Sequence, residues 1–277
     1  MSSDRKHHAP HNRARRHFLG IAAAVTAALV GAVASSPAEA MGNKTWKRRG
    51  GNNGSGSESG SGDPNCFLSG TSIMTPTGEA VIEELRVGDA VVTMRGDSVP
   101  IKWIGHHRYR KGGQSWHESV VPIRVSRHAL DDQTPHRDLY LSPNHALYLD
   151  GVLIRVKDLV NGASIAPAMP EGEEMLDYYH IVLDTHEVIL AEGLAVETHL
   201  VRENNHEHFT NFAEYNRLYP DETTLAMTPF APIVGYEGGR EHLKALIRLW
   251  ASPFVKVRDP VDQAYKRIAG RAEQRVG

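Results

Sequence analysis

Leu147-Tyr148-Leu149-Asp150-Gly151-Val152-Leu153-Ile154 reads as two short apolar strands joined by Asp-Gly. That dipeptide suits a type I′ turn, which needs positive φ at both central residues and matches the twist of paired strands. The same texture continues in both directions. Upstream, Ile73-Met74-Thr75 precede a turn at Pro76-Thr77-Gly78, and Val81-Ile82 and Leu85 lead to Gly88-Asp89 and the apolar run Ala90-Val91-Val92. Pro100–Ile104 and Val121–Val125 each alternate in the manner of a strand. Downstream, Tyr178–Leu190 is rich in β-branched and aromatic residues. From Cys66 to about Thr198 the turn signals are closely spaced and no long helical period intervenes, so this stretch is expected to form an all-β domain of many short strands.

The segments on either side are different. Downstream, Leu243, Leu246, Ile247 and Trp250 fall at helical spacing, which predicts an amphipathic helix over residues 239–251. Asp259-Pro260 reads as a second helix start, with Ala264 and Ile268 on one face and fraying expected at Arg271 to Arg275. Residues 201–277 therefore form a small helical C-terminal region, packed on the β domain or appended to it. Upstream, positive charge gathers at Arg15-Arg16, Phe18–Ala34 carry no charge, and Ala38-Glu39-Ala40 has the small-x-small form of a signal-peptidase site. Residues 1–40 are read as a signal peptide cut between Ala40 and Met41, and Arg15-Arg16-His17-Phe18-Leu19 resembles the twin-arginine export signal. The alternative is an uncleaved membrane anchor. Export to the periplasm or the exterior is expected, with a mature form that does not span a membrane. Residues 41–65 form a tail whose part from Gly50 to Gly62 has no apolar residue, a composition that cannot offset its ordering entropy.

Composition narrows the function. Over 277 residues, 31 Lys and Arg face 33 Asp and Glu. Five of the cations (Arg5, Lys6, Arg13, Arg15, Arg16) precede residue 41, against two acids, so the rest of the chain is more acidic still. Nucleic acid is not an expected partner, because phosphate binding needs a basic surface. Cys66 is the one cysteine, which excludes an intramolecular disulfide and a thiolate-rich zinc site. His199, His206 and His208 invite a metal reading, with Glu203 and Glu207 near. They lack a fixed frame and are read as a polar loop. No metal or cofactor is expected.

Cys66 stands where order begins, directly after Asn65. A thiol there can attack the Asn65 carbonyl and convert the Asn65–Cys66 amide to a thioester, an N-to-S acyl shift in which proximity is built into the chain. The amide is planar and its nitrogen leaves poorly, so the fold must strain the bond and an acid must protonate the departing nitrogen. Histidine suits that task near neutral pH. Burial as an inert core thiol is the alternative for Cys66.

Three blocks in this stretch resemble a known family. Cys66-Phe67-x-x-Gly70-Thr71-x-Ile73, Gly78 and Val81-Ile82-Glu83-Glu84-Leu85-x-x-Gly88-Asp89 look like the opening of the Hint module shared by Hedgehog autoprocessing domains, inteins and many bacterial proteins. Leu141-Ser142-Pro143-Asn144-His145-Ala146-Leu147 is similar to its Thr-x-x-His strand, with Ser for Thr. Tyr179–Leu183, His186 and Ala191–Val196 look like its closing strands. The resemblance implies a Hint-type fold over residues 66–200 and proposes roles for individual residues. His145 would lie against the scissile amide and Ser142 would hydrogen-bond the same peptide group. His180 would stand roughly where inteins often carry an Asp that assists the cysteine, and His186 would match a histidine of the closing block.

Splicing inteins end in His-Asn followed by a nucleophile, whereas this chain has Glu197 and Thr198 at that point. Neither side chain supplies the amide nitrogen that cyclises, so splicing and C-terminal release are not expected. What remains is self-processing in cis, with the chain's own N-terminal segment as substrate and water or an unidentified acceptor resolving the thioester. The competing reading is an exported, non-catalytic Hint-fold binding or structural module. A general cysteine peptidase is a weaker third, because no Cys/His peptidase signature is present.

Overall fold

The computed structural model describes residues 65–112, 115, 116, 120–170, 172, 174–202, 205–222, 226–235 and 259–276. All belong to one compact unit, Glu58–Gly277. The signal assigned to residues 1–40, the tail of residues 41–65 apart from Asn65, and the helix expected over 239–251 lie outside the described residues.

Fifteen strands and two α-helices are found among the described residues. In chain order the strands are β1 (Phe67–Leu68), β2 (Ser72–Thr75), β3 (Gly78–Val81), β4 (Ala90–Val92), β5 (Ser98–Pro100), β6 (Trp103–Arg110), β7 (Ile123–Val125) and β8 (Leu139–Leu141). They continue with β9 (Ala146–Leu149), β10 (Val152–Arg155), β11 (Ile165–Pro167), β12 (Met175–Val182), β13 (Val188–Ala191), β14 (Leu194–Glu197) and β15 (Ile233–Val234). The helices are α1 (Phe212–Leu218) and α2 (Pro260–Val276). One sheet has the order β11-β7-β8-β1-β12-β6, a second β15-β10-β9-β14-β13-β2-β3, and β4 and β5 pair by themselves. The chain is thus an all-β module of many short strands with a helix at its C-terminal end.

The hairpin at Asp150-Gly151 forms as expected. Val152 pairs with Leu149, and Asp150 and Gly151 have φ of 50° and 88°. Only glycine reaches the second of these values without strain, which fixes the register of β9 on β10. Pro100–Ile104 does not form one strand. The chain leaves β5 at Pro100 and enters β6 at Trp103, because the Ile101 amide bonds Asp89 O and the Lys102 amide bonds Val182 O, handing the chain from one pairing to the next.

The main core gathers Phe67, Ile73, Ile82, Val91, Leu141, Leu147, Ile154, Ile181 and Ile189 with Val261, Ala264 and Ile268 of α2. The C-terminal segment is therefore part of the core. It also contributes β15, which runs parallel to β10 with Leu153 opposite Ile233. The fraying expected at Arg271 to Arg275 is corrected, since α2 continues to Val276. Loop acceptors hold its last turns. Arg271 Nε bonds His128 O at 3.0 Å and its Nη2 bonds Asp132 at 2.6 Å, while Arg275 Nη1 bonds Arg127 O at 2.9 Å. Among the described residues no helix is long and apolar enough to cross a membrane.

Candidate active site at the start of the domain

Strand register brings the candidate residues together. Phe67 of β1 pairs with Leu141 of β8 on one side and with Tyr179 of β12 on the other. In antiparallel ladders the preceding residue, Cys66, then falls between Ser142 and His180. In the second sheet Val196 of β14 pairs with Leu147 of β9, which sets Glu197 beside Ala146 and the end of the Ser142–His145 turn. That turn is held by the His145 amide bonding Ser142 O at 3.1 Å.

At the centre, the Cys66 amide donates to Ser142 Oγ at 2.7 Å, and the Ser142 amide donates back to Cys66 O at 2.9 Å. The His145 ring lies edge-on to Phe67, with centroids 4.4 Å apart, and its Nε2 is 3.0 Å from Glu197 O. On the other side of the Asn65–Cys66 bond, Asn65 Nδ2 donates to Glu197 Oε1 at 3.0 Å. The same oxygen accepts from the Ala146 amide at 2.9 Å. Glu197 Oε2 faces His186 Nε2 at 3.4 Å, a charge-pair distance rather than a hydrogen bond. Because His186 Nδ1 accepts from the Phe230 amide at 2.9 Å, the proton of a neutral ring sits on Nε2, toward the carboxylate.

Three further rings extend this site inward. His180 stacks at 5.8 Å from His145, and His199 lies edge-on to His180 at 4.2 Å. The His199 amide bonds Ile181 O at 2.8 Å, which carries the chain from β14 across to β12. Phe209 touches both His180 and His199, each at 5.6 Å. Its ring rests against Gly105, where a Cβ would meet ring atoms at 2.8 Å, so the absence of a side chain there makes room for it. The polar-loop reading of His199, His206 and His208 is corrected. His208 is exposed, but His199 and His206 are buried, because the chain after β14 packs against β12 and α1. His206 meets Tyr215 of α1 at 4.8 Å.

Electrostatics follow from burial. Cys66 is fully buried and belongs to an apolar cluster with Leu68, Trp103, Leu176, Tyr178 and Val182. This burial pushes its thiol well up from the ordinary value. His145 is pushed down by burial, opposed by the charge of Glu197 and by the Cys66 and Glu197 backbones. His180 is driven well down, first by burial and then by His199 and His145. His199 falls to about 3, again chiefly through burial. At neutral pH the site thus holds a protonated thiol beside the neutral imidazoles of His145, His180 and His199.

Cys66, Asn65, Ser142, His145 and His186 converge on one buried patch, and His180 borders it. Two residues of this patch were given no role from the sequence, Glu197 and His199. Glu197 ends an alternating strand in which Leu194 and Val196 point inward, so periodicity places it outside, yet it is buried. The nearest sequence signal was its place in the closing block, four residues beyond Gly193.

A family model described as the Hint domain matches residues 65–203. No curated protein matches the chain. Among solved structures, the bacterial intein-like domain from Clostridium thermocellum is 14% identical, aligns over 49% of this chain and 99% of its own, and superposes with a TM-score of 0.35. The MchDnaB-1 intein is 14% identical over 47% of this chain and 98% of its own, with a TM-score of 0.34. For the gp41-1 intein the identity is 14%, the coverage 49% and 98%, and the TM-score 0.32. With its family match running from Asn65 through the buried patch and past His199, the chain belongs to the Hint-domain family.

Proposed function

We propose that this chain processes itself at the Asn65–Cys66 bond. The Cys66 sulfur attacks the Asn65 carbonyl, the carbon–nitrogen bond breaks, and a thioester replaces the amide. The thiol proton passes to neutral His145 and from there to the departing Cys66 nitrogen. An imidazole whose proton affinity burial has lowered is a strong acid once protonated, which suits the second transfer. The observation that carries this reading is the 2.7 Å bond from the Cys66 amide to Ser142 Oγ, with the His145 ring packed edge-on to the next residue, Phe67, at 4.4 Å. As the nitrogen gains a proton, that bond becomes charge-assisted and strengthens. No Asn follows Gly193 at the closing block, so the reaction stops short of splicing. The substrate is the chain's own N-terminal segment, acting in cis after export directed by residues 1–40.

The test is intact mass. Full-length chain incubated with hydroxylamine is expected to lose the segment ending at residue 65, and the Cys66→Ala chain is not. The full burial of Cys66 favours one competing reading, a Hint-fold binding module in which the bond stays closed. An uncut wild-type chain, with folding verified, supports that module and overturns self-processing.

A further inference from the structure

We propose that the acceptor resolving the thioester is the carboxamide nitrogen of Asn65 itself, with Glu197 as its base. This rests on the acyl-shift reading above and names what completes it. The folded domain grips the Asn65 side chain through Nδ2 on Glu197 Oε1 at 3.0 Å. Glu197 is itself fixed. Its Oε1 also takes the Ala146 amide at 2.9 Å, its Oε2 faces His186 Nε2, and only 2% of its surface is exposed. A buried carboxylate aimed at an N–H bond of the residue whose carbonyl becomes the thioester is a general base in place.

The chemistry closes without a further reactant. Asn65 Nδ2 attacks its own thioester carbonyl carbon and gives one proton to Glu197. The carbon–sulfur bond breaks, and the Cys66 sulfur leaves and takes up a proton. The products are a segment ending in a cyclic imide at residue 65 and a domain beginning with Cys66, which carries a free amine and a free thiol. No water is consumed. Nucleophile and electrophile sit in one residue, where effective concentrations are very large. Burial holds the parts in place, since Cys66 and His145 are fully buried and Ser142 is 7% exposed.

The experiment follows spontaneous release from the full-length chain without added nucleophile, by mass, and separates the products chromatographically. The expected segment is lighter by one water than the free acid. On standing it becomes a mixture of asparagine and isoasparagine ends, and direct hydrolysis cannot make the isoasparagine form. Glu197→Gln, which keeps an oxygen acceptor for Asn65, is expected to slow spontaneous release about a hundredfold. Asn65→Ala is expected to abolish the imide. Asn65→Ala should still release the segment when hydroxylamine is supplied, because the Cys66 thiol and the residue 65 carbonyl both remain. A wild-type segment that appears at once as the pure asparagine acid overturns the inference and leaves the acyl shift standing. Release by hydroxylamine with no spontaneous release does the same. No release by either route overturns both.

Discussion

Replacing Ser142 by Ala removes the one acceptor that the structure gives the Cys66 amide, a bond of 2.7 Å in a buried setting. Two effects of different size follow. Stability falls because a buried N–H loses its partner, at a cost of about 1–3 kcal/mol. For a domain of this size, each kcal/mol lowers Tm by about 2–4 °C. The rate falls for a separate reason. In the resting chain this is a neutral hydrogen bond, worth about 1 kcal/mol net, whereas a bond to a charged group is worth about 1.5–3 kcal/mol. The departing nitrogen acquires its proton in the transition state, so about 1 kcal/mol or slightly more of stabilisation exists only there. That difference corresponds to about tenfold in rate. Hydroxylamine-triggered release is measured by mass over time at a temperature well below both melting transitions. Ser142→Ala is expected to cleave about tenfold more slowly, and Ser142→Thr, which keeps the oxygen, to cleave near the wild-type rate. A Ser142→Ala chain that melts lower but cleaves at the wild-type rate would falsify the argument and leave Ser142 a structural residue.

Two further predictions rest on burial. Release is expected to be flat in rate from about pH 7 to 8, where thiol and imidazole are both neutral. It should decline in acid with a midpoint below the ordinary histidine value of 6.5, because burial lowers His145; a midpoint above 6.5 in a pH–rate profile contradicts the neutral-imidazole assignment. The same lowered histidines tie stability to pH. A base whose folded value is depressed contributes stability above its unfolded value and loses it as pH falls toward the folded one. For His199 that window runs from about 6.5 down to about 3, so thermal melts should show a lower Tm at pH 5 than at pH 7, and a rise would contradict this. Gly105→Ala places a carbon 2.8 Å from the Phe209 ring. The ring must shift, which costs about 1–3 kcal/mol by overpacking, and an unchanged Tm would show that Phe209 does not pack there.

Much of the architecture is legible in local chemistry. Asp150-Gly151 announces its hairpin because few dipeptides accept two positive φ values in succession. The pairing of Cys66 with Ser142 could be anticipated from the family blocks, and the register of Phe67 on Leu141 supplies its physical cause. Glu197 was not legible. Strand alternation turns it outward, and it lies inside because its carboxylate has three partners that converge only in the folded chain, the Asn65 amide, the Ala146 amide and His186. His199 was hidden for a related reason. A histidine beside other histidines in a polar stretch reads as solvated until the pairing of its amide with Ile181 carries it under Phe209. The strand β15 is too short to leave a periodic trace, and it exists because the edge of β10 is open to it. The break between β5 and β6 was not legible either, because Pro100–Ile104 alternates like one strand while the Ile101 amide bonds Asp89 O just before β4 and the Lys102 amide bonds Val182 O of β12.

The tight seat of the Cys66 nitrogen against Ser142 has an outcome once the bond is cut. The severed domain would begin with an α-ammonium group in a pocket that had held an uncharged amide, and a cation without a counterion is poorly tolerated there. Either the new terminus stays unprotonated well into the neutral range or the first turn of the chain swings outward into water. In the second case the freed end presents an amine and a thiol on the same carbon skeleton, a pair that condenses readily with aldehydes and activated esters. The scission would then turn an interior residue into a reactive handle open to solvent.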